Sequence, residues 1–189
     1  MNNFEIGRDK VIETFELKGF KTWTAREGYG AQGTVYHNGK KIALVTDEGV
    51  GGEIDVDATT RDNKQLIDNF INTLPTFTNR ERNWNFDEDE SQEWDMETWG
   101  DVMLQLGEYK KQFNRHIKKV SIVHDKNLVG VAVFKYPASK LEDPELRKFI
   151  KVKHPNGIIL NDLDKKEAFR LFMRHCSNEV SKDGQPINK

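Results

Sequence analysis

Apolar residues at Trp99, Val102, Met103, Leu106, Tyr109, Phe113 and Ile117 recur at steps of three and four. That spacing keeps them on one face of a single long helix. A helix of this length in the middle of a 189-residue chain leaves room for one small unit before it and another after it. Gly100 and Gly107 each weaken such a helix by up to about 1 kcal/mol relative to alanine, and they suit a close approach to a neighbouring element.

The charge around the helix is ordered. Asp87, Glu88, Asp89, Glu90, Glu93, Asp95 and Glu97 lie before it or in its first turns, while Lys110, Lys111, Arg115, Lys118 and Lys119 lie toward its end. A helix dipole favours that order, so much of the charge has a structural explanation. The functional alternative is an acidic surface set with Trp84, Trp94 and Trp99. Such a surface docks on a basic partner or imitates a nucleic-acid backbone.

Net charge is −2, yet it is unevenly divided. Residues 1–101 carry 11 Lys/Arg against 21 Asp/Glu, and residues 102–189 carry 18 against 10. The two halves either attract each other or face different partners. Cys176 is the only cysteine, which excludes an intrachain disulfide and a thiolate-rich zinc site. No apolar run approaches the ~20 residues of a membrane span. The opening MNNFEIGRDK has no apolar segment of the signal-peptide kind, so the expected location is the cytoplasm.

Taken in order, residues 4–24 alternate loosely and predict one or two strands with Gly19 at a turn. Runs at 33–37 and 41–47 flank Asn38-Gly39, the strongest short hairpin signal. A turn over 48–52 leads to a third strand at 53–57. Its glycines Gly49, Gly51 and Gly52 suggest a phosphate cradle, but a cradle needs a helix after them. Here another strand follows, so a turn requiring positive φ is the better reading. Asp47, Glu48, Glu53, Asp55 and Asp57 surround this loop, and oxygen ligands of this kind suit a hard cation. Their spacing matches no EF-hand loop, and acids facing solvent on a strand are commoner. A helix opens at Thr59-Thr60, carries Leu66, Ile67, Phe70, Ile71 and Leu74, and ends before Pro75.

Beyond the long helix, 120–124 and 128–135 predict two strands turning at Lys126-Asn127. Asp143-Pro144 opens a helix with Leu146, Phe149, Ile150 and Val152 facing inward, closed by Pro155-Asn156-Gly157. A short strand over 158–160 follows. Asn161 or Asp162 then caps a last helix carrying Ala168, Phe169, Phe172, Met173 and Cys176. The tail from Ser177 reads as frayed.

The five histidines show no helical metal spacing. His175 and Cys176 are adjacent and point about 100° apart on a helix, too far apart to form a nucleophile–base pair. No serine elbow is present, and carboxylates are too plentiful for a catalytic pair to stand out. The sequence therefore predicts a protein that is not an enzyme and needs no cofactor or metal. For nucleic acid, the candidate contacts are Lys110, Lys111, Arg115, Lys118, Lys119, Lys148, Lys151 and Lys153, with Tyr136 for stacking. Ordinary solvated lysines are the plain alternative.

The segment FKTWTAREGYGAQGTVYHNGKKIALVTDEGVGGEIDVD resembles the opening of a loose group of bacteriophage and prophage proteins of no established activity. They share a hairpin of the form V-Y-x-N/D-G-K-K-x-A-x-V followed by an acid-rich Gly-Gly turn. PELRKFIKVKHPNGIILNDLDKKEAFRLF is similar to their C-terminal portion. The resemblance implies a phage or mobile-element setting and maps no catalytic residue.

The expected fold is α+β: a β-rich unit with one helix over 1–75, an acidic connection over 76–92, a long helix with a small α/β unit over 93–176, and a tail over 177–189. The expected function is a phage accessory protein that binds and modulates a host protein, such as a defence or nucleic-acid enzyme. Its contact would be Trp84, Asp87, Glu88, Asp89, Glu90, Trp94 and Trp99. The alternatives are a nucleic-acid-binding module built on the basic half, and a nucleotide- or metal-dependent enzyme at the 49–57 loop.

Overall fold

The computed structural model describes residues 2–82, 90–124 and 131–176 and is α+β. The Asn2 side chain accepts the Glu5 N–H at 2.8 Å, and the Glu5 carboxylate accepts the Asn2 N–H at 3.1 Å. This reciprocal capping box starts a helix, α1 (Asn3–Thr14), where the sequence led us to expect a strand. The inner face of α1 carries Gly7 and Arg8 between Phe4 and Val11, so its helical period is poorly marked by apolar residues.

Four strands follow: β1 (Glu16–Thr24), β2 (Tyr29–His37), β3 (Lys40–Asp47) and β4 (Asp55–Ala58). They form an antiparallel sheet in chain order. Asn38 and Gly39 turn β2 into β3 with φ of 49° and 75°, as the Asn-Gly signal predicts. Gly19 makes no turn between strands. It lies inside β1 at φ 64°, where the register to β2 shifts. After β4, the Thr60 hydroxyl accepts the Asn63 N–H and caps α2 (Arg61–Ile71). Ile67 and Ile71 of α2 are buried, as are Leu17, Val35, Ala43 and Val45 of the sheet.

A two-stranded ribbon, β5 (Phe77–Thr78) with β6 (Ser91–Gln92), flanks the short α3 (Asn79–Arg82). The long helix is α4 (Met96–His116). Asp95 caps it by accepting the Thr98 N–H at 2.7 Å. Gly100 and Gly107 do serve close approach: a Cβ on Gly100 would sit 2.9 Å from Val56 Cγ2, and one on Gly107 would collide with the Phe20 ring.

The chain divides into two compact units, Met1–Glu108 and Tyr109–Lys189. The boundary falls inside α4 rather than in the acidic connection over 76–92. The second unit holds β7 (Lys119–His124), β8 (Val131–Pro137) and β9 (Gly157–Ile159) in the order β8-β7-β9, antiparallel throughout. The expected turn at Lys126-Asn127 and the tail from Ser177 lie outside the described residues.

Side chains of β7 alternate between two cores. Val120 and Ile122 pack with Leu141 and with Ile150 of α5 (Pro144–Lys153). Val123 packs with Phe113, Leu160 and, from α6 (Lys165–Cys176), Ala168 and Phe172. Asp164 caps α6, accepting the Lys166 and Glu167 N–H groups, in place of the expected Asn161 or Asp162. Asn161 instead accepts the Ser121 N–H at 2.9 Å and donates to the carbonyls of Ile117 and Lys119.

Candidate nucleic-acid interface

Proline at the first position of α5, with Asp143 accepting the Glu145 N–H at 3.0 Å, fixes where that helix starts. Its buried residue is Ile150, with Leu146 packed beside it. The expected inward placement of Phe149 and Val152 does not hold. Phe149 is 49% exposed, and Val152 is exposed as well. At 3.6 residues per turn, Val152 lies ~120° from Leu146, outside the arc that meets the sheet.

Phe149 shares a shallow concavity of about 330 Å³ with Tyr136, Lys140, Asp143 and Leu146. Tyr136, at the end of β8, is 47% exposed. The Lys153 ammonium stands 5.7 Å from the centre of the Phe149 ring, within cation–π range. Asp143 is the acid in the concavity, and one of its oxygens is occupied by the α5 cap. Two accessible aromatic faces thus lie beside Lys140 and Lys153. Lys135, Lys148 and Lys151 are exposed on the same two elements. The sequence reading places Phe149 in the core and does not single out Lys140. The signal for Phe149 was its place at the margin of the inner arc, and Lys140 carried none.

The other candidate cations, Lys110, Lys111, Arg115, Lys118 and Lys119, are exposed along the end of α4 and the start of β7. His116 lies among them, and its pKa is lowered by burial and then by the positive charge of Arg115 and Lys119. Arg147, also on α5, is committed elsewhere. Its guanidinium meets Asp162 through two bonds of 2.8 and 2.9 Å and donates to the Leu141 carbonyl. That bond holds the Asp162 carboxyl below its ordinary range and raises Arg147. A second cavity of about 470 Å³ lies beside this pair, floored by Phe113, Leu141, Leu160 and Ala168.

The acidic tryptophan surface is altered by the fold. Trp94 stacks on Phe4 at 5.3 Å and Trp99 meets Phe15 edge-on; both are buried, and neither indole N–H has a hydrogen-bond partner. They are core residues: Trp99 stands on the inward stripe of α4, and Trp94, which precedes that helix, packs against Phe4, Gly7 and Phe77. Glu90 is exposed, with its carboxylate bonded to the Asn79 and Gln92 side chains. Trp84, Asp87, Glu88 and Asp89 lie outside the described residues.

At the 49–57 loop, Gly49 and Gly51 take φ of 71° and 75°, and Asp47 accepts the Gly49 N–H at 2.8 Å. The loop runs into the strand β4 and not into a helix. Among the described residues, no three His, Cys, Asp or Glu side chains gather so as to hold a metal ion. Burial pushes the Cys176 thiol up to about 11. No helix among the described residues is long and apolar enough to cross a membrane.

No protein family, curated protein or solved structure matches this chain.

Proposed function

We propose that the second unit binds single-stranded nucleic acid, without catalysis, on the face formed by β8 and α5. The observation that carries this reading is the shared concavity of Tyr136, Phe149 and Lys140, with Lys153 over the Phe149 ring. Bases stack on accessible aromatic faces whatever their sequence, and each stack contributes about 1–3 kcal/mol. Lys135, Lys140, Lys148, Lys151 and Lys153 supply the cations that follow a phosphate backbone. A duplex keeps its bases paired and offers no free face to the two rings, so single strands are preferred. The phage or prophage setting, drawn from the resemblance of residues 20–57 and 144–172, and a place in the bacterial cytoplasm belong to the same proposal.

The competing reading is an accessory protein docked on a host defence or nucleic-acid enzyme through the acidic stretch. It retains Trp84, Asp87, Glu88, Asp89 and Glu90 as its contact, without the buried Trp94 and Trp99.

The test is fluorescence anisotropy with labelled oligothymidylate and with a duplex of equal length, across a salt series. The single strand binds more tightly, and log affinity falls with log salt by ~0.7 for each phosphate neutralised. Tyr136→Ala with Phe149→Ala removes most of the binding. Equal affinity for duplex and single strand, or binding unchanged in the double variant, overturns the reading.

A further inference from the structure

The first unit carries a second surface, remote in sequence from the acidic tryptophan stretch. Trp23 near the end of β1 is 37% exposed and lies across Gly30, its partner on β2. Tyr29, the first residue of β2, is 77% exposed. The loop after β3 comes up against the same end of the sheet. A Cβ on Gly49 would sit 2.5 Å from the Gly30 nitrogen and 2.6 Å from the Tyr29 carbonyl carbon. Val50 is exposed at the tip of that loop. Aromatic and aliphatic side chains are therefore presented to solvent where a sheet end and a loop meet.

The charge around them has one dominant sign. Between Asp47 and Asp57 there are five carboxylates and no lysine or arginine. Asp47 is engaged with Gly49, but Glu48, Glu53, Asp55 and Asp57 are exposed and make no ion pair among the described residues. Glu27 reaches the same loop, with its carboxylate 3.5 Å from where a Gly51 Cβ would be. Lys21 and Arg26 are the cations nearest in sequence on this end of the sheet.

We propose that this end of the first sheet is a docking surface for an arginine- or lysine-rich segment of another protein. The carboxylates draw the segment in, and the Trp23 and Tyr29 rings accept its cations and their methylene stems. Aromatic faces attract guanidinium and ammonium groups, and tryptophan and tyrosine dominate the energetics of protein interfaces. Charge complementarity selects a basic occupant and rejects an acidic one. This inference does not rest on the nucleic-acid reading, since the residues lie in the other unit.

The test titrates the full chain with a labelled arginine-rich peptide and with its glutamate counterpart at low salt, read by anisotropy. The arginine peptide binds and the glutamate peptide does not. Tyr29→Ala weakens binding about fivefold, as expected for losing one cation–π partner. Glu48→Gln with Glu53→Gln, Asp55→Asn and Asp57→Asn weakens it at least as much. Tyr29 is exposed enough that its truncation leaves the fold intact, which circular dichroism checks. Tyr136→Ala with Phe149→Ala leaves the peptide affinity unchanged. Absence of binding overturns the proposal. So does binding that survives both sets of first-unit changes, or binding lost only on neutralising residues 87–90.

Discussion

Gly7 leaves the space that the Trp94 indole fills: a Cβ at position 7 would overlap the indole ring. The ring is also stacked on Phe4 at 5.3 Å and meets Phe77 edge-on at 5.5 Å. A tryptophan from the acidic stretch is thereby an internal part of the first unit. Two opposed effects act on Gly7→Ala. Helix propensity gains up to about 1 kcal/mol, while overpacking against a rigid ring costs about 1–3 kcal/mol. The clash prevails because the ring is held on two sides. Gly7→Ala lowers stability in urea unfolding, and Trp94→Ala lowers it by about 3–5 kcal/mol. A Trp94→Ala protein as stable as the parent would return this residue to the surface.

Asn161 ties its own turn to the stretch 117–121 that leads into β7. Its side chain serves the Ser121 N–H and the carbonyls of Ile117 and Lys119. Asn161→Ala leaves these groups without their partner, at about 1–3 kcal/mol for each that water does not reach. Asn161→Asp spares the acceptor and loses the two donated bonds, so it is destabilising as well. Thermal unfolding of both variants checks this, with the alanine variant the less stable.

Acid sensitivity has two components with the same sign. His116 titrates below its ordinary value in the folded protein because of burial and then its cationic neighbours. The unfolded chain therefore takes up the proton first, and stability declines as pH falls from about 6.5. Asp162, held down by its bond to Arg147, and Asp164, held down by the Glu167 N–H, contribute stability above about pH 4 that is lost as pH falls further. In a Tm-against-pH profile, His116→Gln flattens the upper decline and Asp162→Asn the lower one. A profile that rises on acidification contradicts both assignments.

Cys176 is half-buried at the end of α6, with its thiol pushed up to about 11. At pH 8 its thiolate fraction is about two orders of magnitude below that of an ordinary cysteine. Labelling with a chromogenic disulfide is correspondingly slow in the native protein and fast in denaturant. Fast native labelling would show that the residue is not packed as described.

Much of the fold could be read from local chemistry. Asn38-Gly39 demanded positive φ and gave the hairpin. Thr60 and Asp143-Pro144 marked helix starts, and the stripe from Trp99 to Ile117 marked α4. The capping-box pair Asn2 and Glu5 was present in the sequence, but Gly7 and Arg8 interrupt the apolar stripe of α1, and a loose alternation took its place. The candidate interface was half legible. Lys148, Lys151, Lys153 and Tyr136 followed from charge and aromatic character. Phe149 read as core, because periodicity cannot tell a residue at the edge of the inner arc from one within it. The tryptophans misled for the opposite reason: acidic neighbours suggested a surface, yet Trp94 and Trp99 lie on the sides of their segments that meet α1 and its C-cap Phe15.

We propose that Tyr136 and Phe149 stack nucleobases. Ultraviolet cross-linking of the full chain to oligothymidylate, followed by mass spectrometry of the linked peptides, tests it most directly. Adducts are expected on the peptides that carry Tyr136 and Phe149, suppressed by unlabelled single strand and not by duplex. Adducts confined to the first unit, or none on either peptide under conditions where binding is saturated, would contradict it.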